Sequence, residues 1–190
     1  MPSPPRHREQ VRQRIVQSAA QLFNRHGFAA VSIDDIMGGA GLTRGGFYGY
    51  FQSKSELYAE AINHIVNGKL EGASTVDRAA DRATQIVRDY LSLPHFENIN
   101  ASCPLIGLTS ELSRTNRSVR VAQEAALRMM IETFEHGVTQ SAQPARQRAL
   151  ALTSLCVGGM VLARAIEDRS LANEIREAAM AIALTLGRWT

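Results

Sequence analysis

The stretch from Val31 to Glu56, VSIDDIMGGAGLTRGGFYGYFQSKSE, constrains the fold of this 190-residue chain more than any other part of it. Ser32 can cap the free N–H groups at the start of a helix, and Asp35 lies in the positive first turn of that helix. The glycines at positions 38, 39 and 41 then end the helix, because glycine adopts left-handed turn geometry without steric cost. The stretch therefore predicts a short helix followed by a tight turn.

Two further helix starts follow that turn. Thr43 is positioned to cap a very short helix over residues 44–51, RGGFYGYF, and Leu42 before it is expected to be a buried anchor. Ser53, with Glu56 three residues later, is the expected cap of the next helix. A helix, a tight turn and a short second helix make up the helix-turn-helix, whose second helix enters the DNA major groove. We therefore expect a DNA-binding domain here.

Five blocks of this stretch, in their order and spacing, resemble the DNA-binding domain of the TetR family of bacterial transcription regulators. They are IDDI at 33–36, AGLTRG at 40–45, FY at 47–48, YF at 50–51 and SKSEL at 53–57. The match covers about Arg8 to Ile65, and Tyr50 departs from it, since many relatives carry histidine there. The resemblance implies an all-α fold of about nine helices, with an N-terminal three-helix helix-turn-helix domain and a C-terminal helical domain for ligand binding and dimerisation.

The candidate DNA contacts follow from side-chain chemistry and from this resemblance. Arg44 is the candidate for a base edge, because arginine pairs bidentately with guanine. Glycine lets the backbone approach DNA closely, whereas tyrosine hydroxyls and a lysine ammonium suit phosphates. Two glycines inside the second helix, at 46 and 49, each cost about 1 kcal/mol of helix propensity, so we expect it to become firm only on DNA. The full predicted set is Ser32, Thr43, Arg44, Gly45, Gly46, Tyr48, Tyr50 and Lys54.

The charge distribution agrees with this location of the DNA-binding surface. Residues 1–54 hold seven basic and three acidic residues, although the whole chain carries only +3. The positive excess therefore lies with the helix-turn-helix, as phosphate contact requires. We expect a proline-rich disordered tail over residues 1–7, a DNA-binding domain over 8–54 and a helical effector-binding and dimerisation domain over 55–190.

Composition narrows the remaining classes of protein. Apolar residues make up 45% of the chain, which is ample for a core, and two cysteines are too few for a disulfide framework. The five histidines are scattered singly, so we expect no metal site and no cofactor. No apolar run is long enough for a membrane span and no signal peptide is visible. We therefore expect a cytoplasmic protein that does not bind a membrane.

The C-terminal part of the sequence is less informative. Helical periodicity continues to the end, and residues 93–100, which contain Pro94, are expected to form a loop at the mouth of an apolar pocket. The candidate lining residues are Tyr58, Ile62, Val66, Tyr90, Phe96, Cys103, Leu108, Met129, Met130 and Phe134. The last two helices are expected to pair across a two-fold axis as a four-helix bundle. The candidate interface residues are Leu152, Leu155, Gly159, Leu162, Leu171, Ile175, Ala178 and Ile182.

Four functions stay open at this point, and the last of them is a protein-interaction module that keeps the helix-turn-helix only as a scaffold and would show no salt-dependent DNA binding. The first is a homodimeric repressor on a palindromic double-stranded DNA operator, released by a small apolar effector whose signal the helix after Ser53 transmits, as the resemblance implies. The second is a redox or electrophile sensor on the same scaffold, because Cys103 lies near an expected helix start, where the macrodipole favours a thiolate. The third is a thiol enzyme built from Cys103 and a histidine, but nothing supplies an orienting acid, so we expect no catalysis. Cys156 is expected to be core packing.

Overall fold

Residues 5–73, 78–100, 102–106, 117–138 and 143–187 are described by a computed structural model of the chain, and these residues form helices and turns without a strand. The predicted all-α fold is thereby confirmed. In the described ranges the helices are α1 (Pro5–Ala30), α2 (Ile33–Gly39), a 3₁₀ helix (Arg44–Gly49), α3 (Lys54–Ala73), α4 (Ala79–Tyr90), α5 (Leu93–Glu97), α6 (Arg117–Gly137), α7 (Ala145–Arg164) and α8 (Arg169–Gly187). We call Arg44–Gly49 the recognition segment.

The chain divides into two units. The first unit combines Met1–Gly68 with Asn100–Glu124, and the second combines Lys69–Ile99 with Ala125–Thr190. The whole predicted DNA-binding domain falls in the first unit, together with most of α3. Both α3 and α6 contribute residues to both units.

The first helix is longer at both ends than the helix over residues 8–26 that the sequence predicts, with Gly27 as its stop. That prediction rests on an apolar stripe formed by Val11, Ile15, Ala19, Leu22 and Phe23. The helix begins at Pro5, three residues before the expected start, because proline is tolerated in a first helical turn, where its missing N–H has no partner to lose. Residues 1–4 of the predicted tail lie outside the described residues. Gly27 has φ 79° and ψ 166°, so regular helix ends where glycine was expected to stop it, and one further turn follows to Ala30.

The first unit is held by apolar residues of its successive helices. The core contains the predicted stripe of α1, the inner face of α2 and both phenylalanines of the 47–51 region: Val11, Ile15, Ala19, Phe23, Ile36, Met37, Phe47, Phe51 and Leu57. Tyr58 joins it by edge-on contact with Phe23, ring centroids 4.7 Å apart, and by contact with Phe28 at 5.0 Å. Burying these aromatic rings fixes α3 against α1.

The second unit depends on close packing of α7 against α8. A side chain on Gly159 would place its Cβ 2.7 Å from the Cβ of Ala179, so only glycine permits this approach. Leu152, Cys156 and Met160 on the same helix are fully buried, as expected for Cys156. No helix among the described residues is long and apolar enough to span a membrane.

Three arginines of the second unit bind backbone carbonyls far away in sequence. Arg148 donates to the carbonyls of Leu186 and Gly187 at the end of α8, at 2.7 and 2.5 Å from its Nη2. Arg176 donates to the carbonyl of Leu91 after α4, and Arg164 to that of His95. Helix-end carbonyls lack intrahelical partners, so these guanidinium groups satisfy them and join the helices of this unit.

The expected loop at residues 93–100 is partly helical. Ser92 caps α5 by accepting a hydrogen bond from the His95 N–H at 3.1 Å, and Pro94 lies in the first turn of this helix. The prediction failed because proline breaks a helix only in its interior, whereas at the first turn its fixed φ favours helix. Phe96 is buried beneath the guanidinium groups of Arg169 and Arg176, 5.4 and 5.6 Å from its ring centroid.

Candidate nucleic-acid interface

The N-terminus of α2 has the predicted cap. The Asp35 N–H donates to the Ser32 hydroxyl oxygen at 3.1 Å, while the Asp35 carboxylate accepts from the Ser32 N–H at 2.8 Å and from its hydroxyl at 2.6 Å. These bonds lower the pKa of Asp35, and the Ser32 hydroxyl is the largest cause. The cap therefore fixes where α2 begins and leaves the exposed Ser32 at the positive end of a helix, where an anion is favoured.

A glycine turn joins α2 to the recognition segment. Gly41 has φ 69°, and the Leu42 N–H donates to the Met37 carbonyl at 2.8 Å, which satisfies an orphan carbonyl of α2. Leu42 is half-buried, so it is a weaker anchor than predicted. The turn directs the chain into the recognition segment within four residues of α2.

The recognition segment is a 3₁₀ helix rather than an α-helix. Its i→i+3 bonds include Gly46 N–H to the Thr43 carbonyl at 3.1 Å and Tyr50 N–H to the Phe47 carbonyl at 2.9 Å. Glycines lower α-helix propensity here, and short 3₁₀ turns tolerate them. The predicted side-chain cap at Thr43 is wrong: its exposed side chain makes no capping bond, and the extended backbone of Thr43 starts the segment.

The outer surface of the recognition segment is polar. Phe47 is fully buried and anchors the segment, whereas Tyr48 is 67% exposed and packs edge-on against Phe47, centroids 5.2 Å apart. At Gly45 and Gly49 a Cβ would meet no atom within 4 Å, so the backbone borders open space. A Cβ at Gly46 would lie 3.6 Å from the Met37 methyl carbon, an ordinary contact.

Arg44 begins the recognition segment and pairs with α2. Its Nη1 lies 2.5 Å from Oδ2 of Asp34, and the two side chains are 63% and 54% exposed. The guanidinium is therefore at the surface, one residue beyond the turn, and held by the second residue of α2. Sequence reasoning selected Arg44 but missed Asp34, although an acid ten residues before a candidate base-contacting arginine was visible in the sequence.

Arginines of α1 contact the recognition segment and residues that flank it. Arg8 donates from Nη2 to the Gly49 carbonyl at 2.8 Å and lies 5.8 Å from the centroid of the half-buried Tyr50 ring. Arg12 forms an ion pair with Glu60 and covers the Phe51 ring at 4.8 Å, and Arg14 donates to the Ala40 carbonyl. In the free protein the three arginines therefore hold parts of the fold together, in addition to adding positive charge to this unit.

The start of α3 is also capped as predicted. The Glu56 N–H donates to the Ser53 hydroxyl at 3.1 Å, and the Glu56 carboxylate accepts from the Gln52 N–H at 2.6 Å, one residue before the predicted partner. Lys54 lies in the first turn, half-buried, with its ammonium 4.5 Å from the Phe28 ring centroid. The two helix N-termini, of α2 and α3, thus carry Ser32 and Lys54 respectively.

The predicted pocket residues do not fall in one unit. Tyr58, Ile62, Val66 and Cys103 belong to the first unit, whereas Tyr90, Phe96, Met129, Met130 and Phe134 belong to the second. Leu108 lies outside the described residues. Both methionines and Val66 are half-buried, and the others in the described set are buried. Tyr58 and Phe96 already have packing partners in their own units, as described above.

Cys103 lies in a turn whose backbone is tied to α1. The Asn24 amide donates to the carbonyls of Asn100 and Ser102 at 3.2 and 3.1 Å, and the buried Gln123 amide donates to the Pro104 carbonyl at 3.1 Å. Cys103 is buried, and its carbonyl accepts from the Ile106 N–H at 3.0 Å. The helix expected after Pro104 lies mostly outside the described residues. Sequence reasoning missed Asn24, because its partners are more than 70 residues away.

The predicted dimer residues divide by exposure. Leu152 and Gly159 are buried within the chain, where Gly159 contacts α8, and Leu155 and Ile175 are half-buried. Leu162 and Ile182 are 59% and 58% exposed, and Leu171 and Ala178 are exposed as well. An apolar face therefore remains uncovered on α7 and α8.

Comparisons with known sequences identify this chain's relatives. Residues 15–61 match the family described as bacterial regulatory proteins, tetR family. An uncharacterized HTH-type transcriptional regulator of Mycobacterium tuberculosis is 28% identical over 173 residues, which cover 83% of this chain and 86% of the relative. SrpR, an HTH-type transcriptional regulator of Pseudomonas putida, is 29% identical over 140 residues, which cover 72% of this chain and 65% of SrpR.

Solved structures share the fold. The reduced form of NemR from E. coli superposes with a TM-score of 0.79 at 19% identity, covering 93% of this chain and 96% of NemR. A transcriptional regulator from Saccharomonospora viridis in complex with choline gives 0.71 at 21% identity, covering 93% and 96%. A TetR transcriptional regulator from Chloroflexus aurantiacus gives 0.76 at 24% identity, covering 95% and 96%. The fold is therefore that of known TetR-type regulators.

Proposed function

Since the chain belongs to the TetR family of bacterial regulatory proteins, we propose that it is a homodimeric repressor of a palindromic operator in double-stranded DNA, released by a small effector. The observation that carries this proposal is the position of Arg44. It begins the recognition segment, its side chain is 63% exposed, and Gly45 beside it leaves the backbone open. An exposed arginine at the start of a recognition helix suits a guanine edge in the major groove.

Phosphate contacts are proposed around this base contact. Thr43 and Tyr48 are both exposed, and the Thr43 side chain makes no capping bond, so the two hydroxyls are available to phosphate oxygens. Ser32 and Lys54 lie at helix N-termini, where backbone dipoles favour anions. Gly45 and Gly46 allow close approach, and Tyr50 lies beside the Arg8 guanidinium. Affinity should therefore fall steeply with salt, as counterions are released.

The DNA proposal is tested with the DNA upstream of the protein's own gene. Fluorescence anisotropy against that duplex and a scrambled duplex, over a series of salt concentrations, is expected to give a linear decrease of log affinity with log salt for both. Preference for the upstream duplex is expected in addition. Salt-independent binding, or no binding to either duplex, would overturn the proposal.

The proposed dimer uses the uncovered faces of α7 and α8. A repressor of this type needs two half-sites about one helical turn or a multiple apart, and hence two recognition segments. We propose Leu162, Leu171, Ala178 and Ile182 as the interface, with the half-buried Leu155 and Ile175 beside them. Leu152 and Gly159 then support the interface from inside the chain.

Sedimentation tests the dimer directly. Leu162→Glu and Ile182→Glu are expected to give a monomer, because each puts a charge into an apolar contact. Val121→Glu in α6 is the matched control, since Val121 is 57% exposed and lies outside the proposed interface. Dimerisation that survives both interface substitutions would place the contact elsewhere.

The effector is proposed to be small and apolar. Tyr90, Phe96 and Phe134 are buried, and the methionines at 129 and 130, one helical turn before Phe134, are half-buried, which suits adaptable lining of a ligand site. One neighbour in fold is described in complex with choline. A screening panel should therefore contain neutral apolar compounds and a quaternary ammonium compound. Because binding linkage is reciprocal, a true effector must also bind more weakly when DNA is bound.

A thiol switch at Cys103 is the second candidate function, favoured by one observation. The turn that carries Cys103 is bonded to α1 through Asn24, so a group added to the buried sulfur has a direct route into the DNA-binding unit. NemR, a neighbour in fold, has a structure of its reduced form, and a thiol switch likewise has a reduced state and a modified state. With an activated alkene the reaction would form one S–C bond, and the thiol proton would end on the adjacent carbon.

Paired variants separate the two kinds of signal. DNA release by an electrophile that Cys103→Ser abolishes and Cys156→Ser leaves intact would establish the thiol switch. Release of all three proteins by the same neutral compound would establish the apolar effector instead. A catalytic role is not proposed, since the relatives are transcriptional regulators.

A further inference from the structure

Two adjacent carboxylates begin α2, and they are used in different ways. Asp35 is consumed by the cap, since it accepts both the N–H and the hydroxyl of Ser32. Asp34 takes no part in that cap, and its carboxylate instead binds Arg44 at 2.5 Å. One carboxylate therefore caps α2, and the adjacent one binds Arg44, which begins the recognition segment.

The Arg44–Asp34 pair is too exposed to be a device for fold stability. Exposed ion pairs contribute little to folding, because solvent and salt screen them and both side chains lose freedom. The two side chains are 63% and 54% exposed, whereas Arg176 lies on the buried Phe96 ring and Arg148 binds the carbonyls at the end of α8. The geometry of the pair is more informative than its energy.

Only one edge of the Arg44 guanidinium is occupied. The bond to Asp34 uses Nη1, and among the described residues Asp34 is the partner recorded for this side chain. Bidentate recognition of guanine needs two N–H donors on one edge of the fork, aimed at O6 and N7. With Nη1 held, the Nε and Nη2 donors form the remaining two-donor edge.

We propose that Asp34 is a positioning residue for sequence recognition: it holds Arg44 by Nη1 so that the Nε–Nη2 edge reads guanine. This inference rests on the proposed DNA-binding function and adds the residue that sets its specificity. A fixed guanidinium loses less side-chain freedom on binding. The Asp34 charge also repels phosphate, so it penalises DNA on which Arg44 finds no guanine.

The experiment selects a duplex with the wild-type protein from a random-sequence 30-base-pair pool. Anisotropy then measures affinity for that duplex and for each single-base-pair variant of it. Arg44→Ala identifies the base pair that Arg44 reads, as the position where discrimination falls. Asp34→Asn is expected to lose about fivefold or more of the discrimination at that same base pair. Its binding to a scrambled duplex is expected to stay equal or rise.

The double variant shows whether Asp34 acts through Arg44. In the Arg44→Ala background, Asp34→Asn is expected to change discrimination at that base pair by less than about twofold, since the positioned group is absent. Glu9→Gln is the matched control, because it removes an exposed negative charge of α1 and leaves Arg44 untouched. It is expected to leave the discrimination unchanged.

Three results would overturn the inference. Asp34→Asn could act like Glu9→Gln, which would mean that the Asp34 charge affects binding to all DNA alike and not the reading of one base pair. It could instead change discrimination at another base pair whether or not Arg44 is present, which would make Asp34 a direct acceptor for cytosine N4. If wild-type protein enriches no sequence at all, the proposed DNA-binding function fails, and the inference fails with it.

Discussion

The side-chain contacts made within the stretch from Ser32 to Glu56 are local, whereas three arginine contacts in the second unit are distant in sequence. Arg8 and Arg14 of α1 also bind carbonyls of this stretch from outside it. Ser32 bonds Asp35 and Ser53 bonds Glu56 across three residues, and Arg44 reaches Asp34 across ten. In the second unit Arg148, Arg164 and Arg176 bind carbonyls 38 to 85 residues away. The first arrangement leaves polar groups at the surface, and the second hides charged groups inside.

This contrast separates two uses of polar side chains. Local caps define where short helices begin, so polar residues between them, such as Thr43, Arg44 and Tyr48, stay exposed and available to a ligand such as DNA. Distant bonds from the buried Arg148 and Arg176 and the half-buried Arg164 join helices of the second unit. Substitutions in the two regions should therefore have separable effects on unfolding and on DNA binding.

The largest stability effect is expected at Arg176. Arg176→Met removes the donor to the Leu91 carbonyl and leaves that carbonyl without its partner, which should lower the free energy of unfolding by about 2–3 kcal/mol. Arg169→Met is the matched control, because Arg169 also covers the Phe96 ring but is 69% exposed. Urea unfolding checks both. Equal losses would mean that stacking on Phe96, not the carbonyl bond, carries the stabilisation.

The next effect is expected between two adjacent glycines of α7. Gly159→Ala should destabilise the protein by about 1–2 kcal/mol, because its Cβ would lie 2.7 Å from the Ala179 Cβ and overpack the helix contact. Gly158→Ala meets nothing within 4 Å and should stabilise by about 0.5–1 kcal/mol through helix propensity. Thermal unfolding separates them. A stable Gly159→Ala would show that α7 and α8 have room to move apart.

A smaller, pH-dependent effect is expected at the cap of α2. Ser32→Ala should cost about 1 kcal/mol near neutral pH. The pKa of Asp35 is lowered in the folded state, chiefly by Ser32, so this stabilisation exists above the ordinary carboxyl pKa and is lost as pH falls through the folded pKa. Urea unfolding of both proteins, from neutral pH to about pH 3, should show the difference shrinking. A difference that grows in acid would contradict the assigned cap.

The smallest stability effect is expected at Thr43. Its side chain makes no capping bond, so Thr43→Ala should change the free energy of unfolding by less than about 0.5 kcal/mol. Loss of a phosphate contact should nevertheless weaken DNA binding and make the salt dependence less steep. Ser53→Ala is the useful comparison, because Ser53 does cap α3 and its loss should cost stability. If Thr43→Ala lowers the free energy of unfolding as much as Ser53→Ala, the conclusion that Ser53 caps a helix and Thr43 does not is wrong.

The contrast also explains what the sequence could predict. Caps at Ser32 and Ser53 depend on residues three apart, so pattern reasoning found them. The same reasoning assigned Thr43 a cap and gave the recognition segment no 3₁₀ geometry. Threonine is a common capping residue, and that preference alone led to the cap. The three glycines among the six residues of the segment, which disfavour an α-helix, were not weighed against it.

Long-range partners were beyond sequence reasoning for a physical reason. Nothing local marks Arg176 as buried or Leu91 as its acceptor, since the bond depends on how α8 packs in the second unit. Asn24 and the Cys103 turn pose the same problem in the first unit. The proposed pocket depended on apolar patterning alone, and buried core residues have the same pattern as a ligand site, so its lining stays a prediction.

Whether Arg44 reads a base is decided by one binding experiment. Wild type and Arg44→Ala are titrated against the selected 30-base-pair duplex and against a scrambled duplex at one salt concentration. We expect Arg44→Ala to lose about 1–3 kcal/mol of binding free energy on the selected duplex and clearly less on the scrambled one. An equal loss on both duplexes would contradict it, because Arg44 would then act as a phosphate contact only.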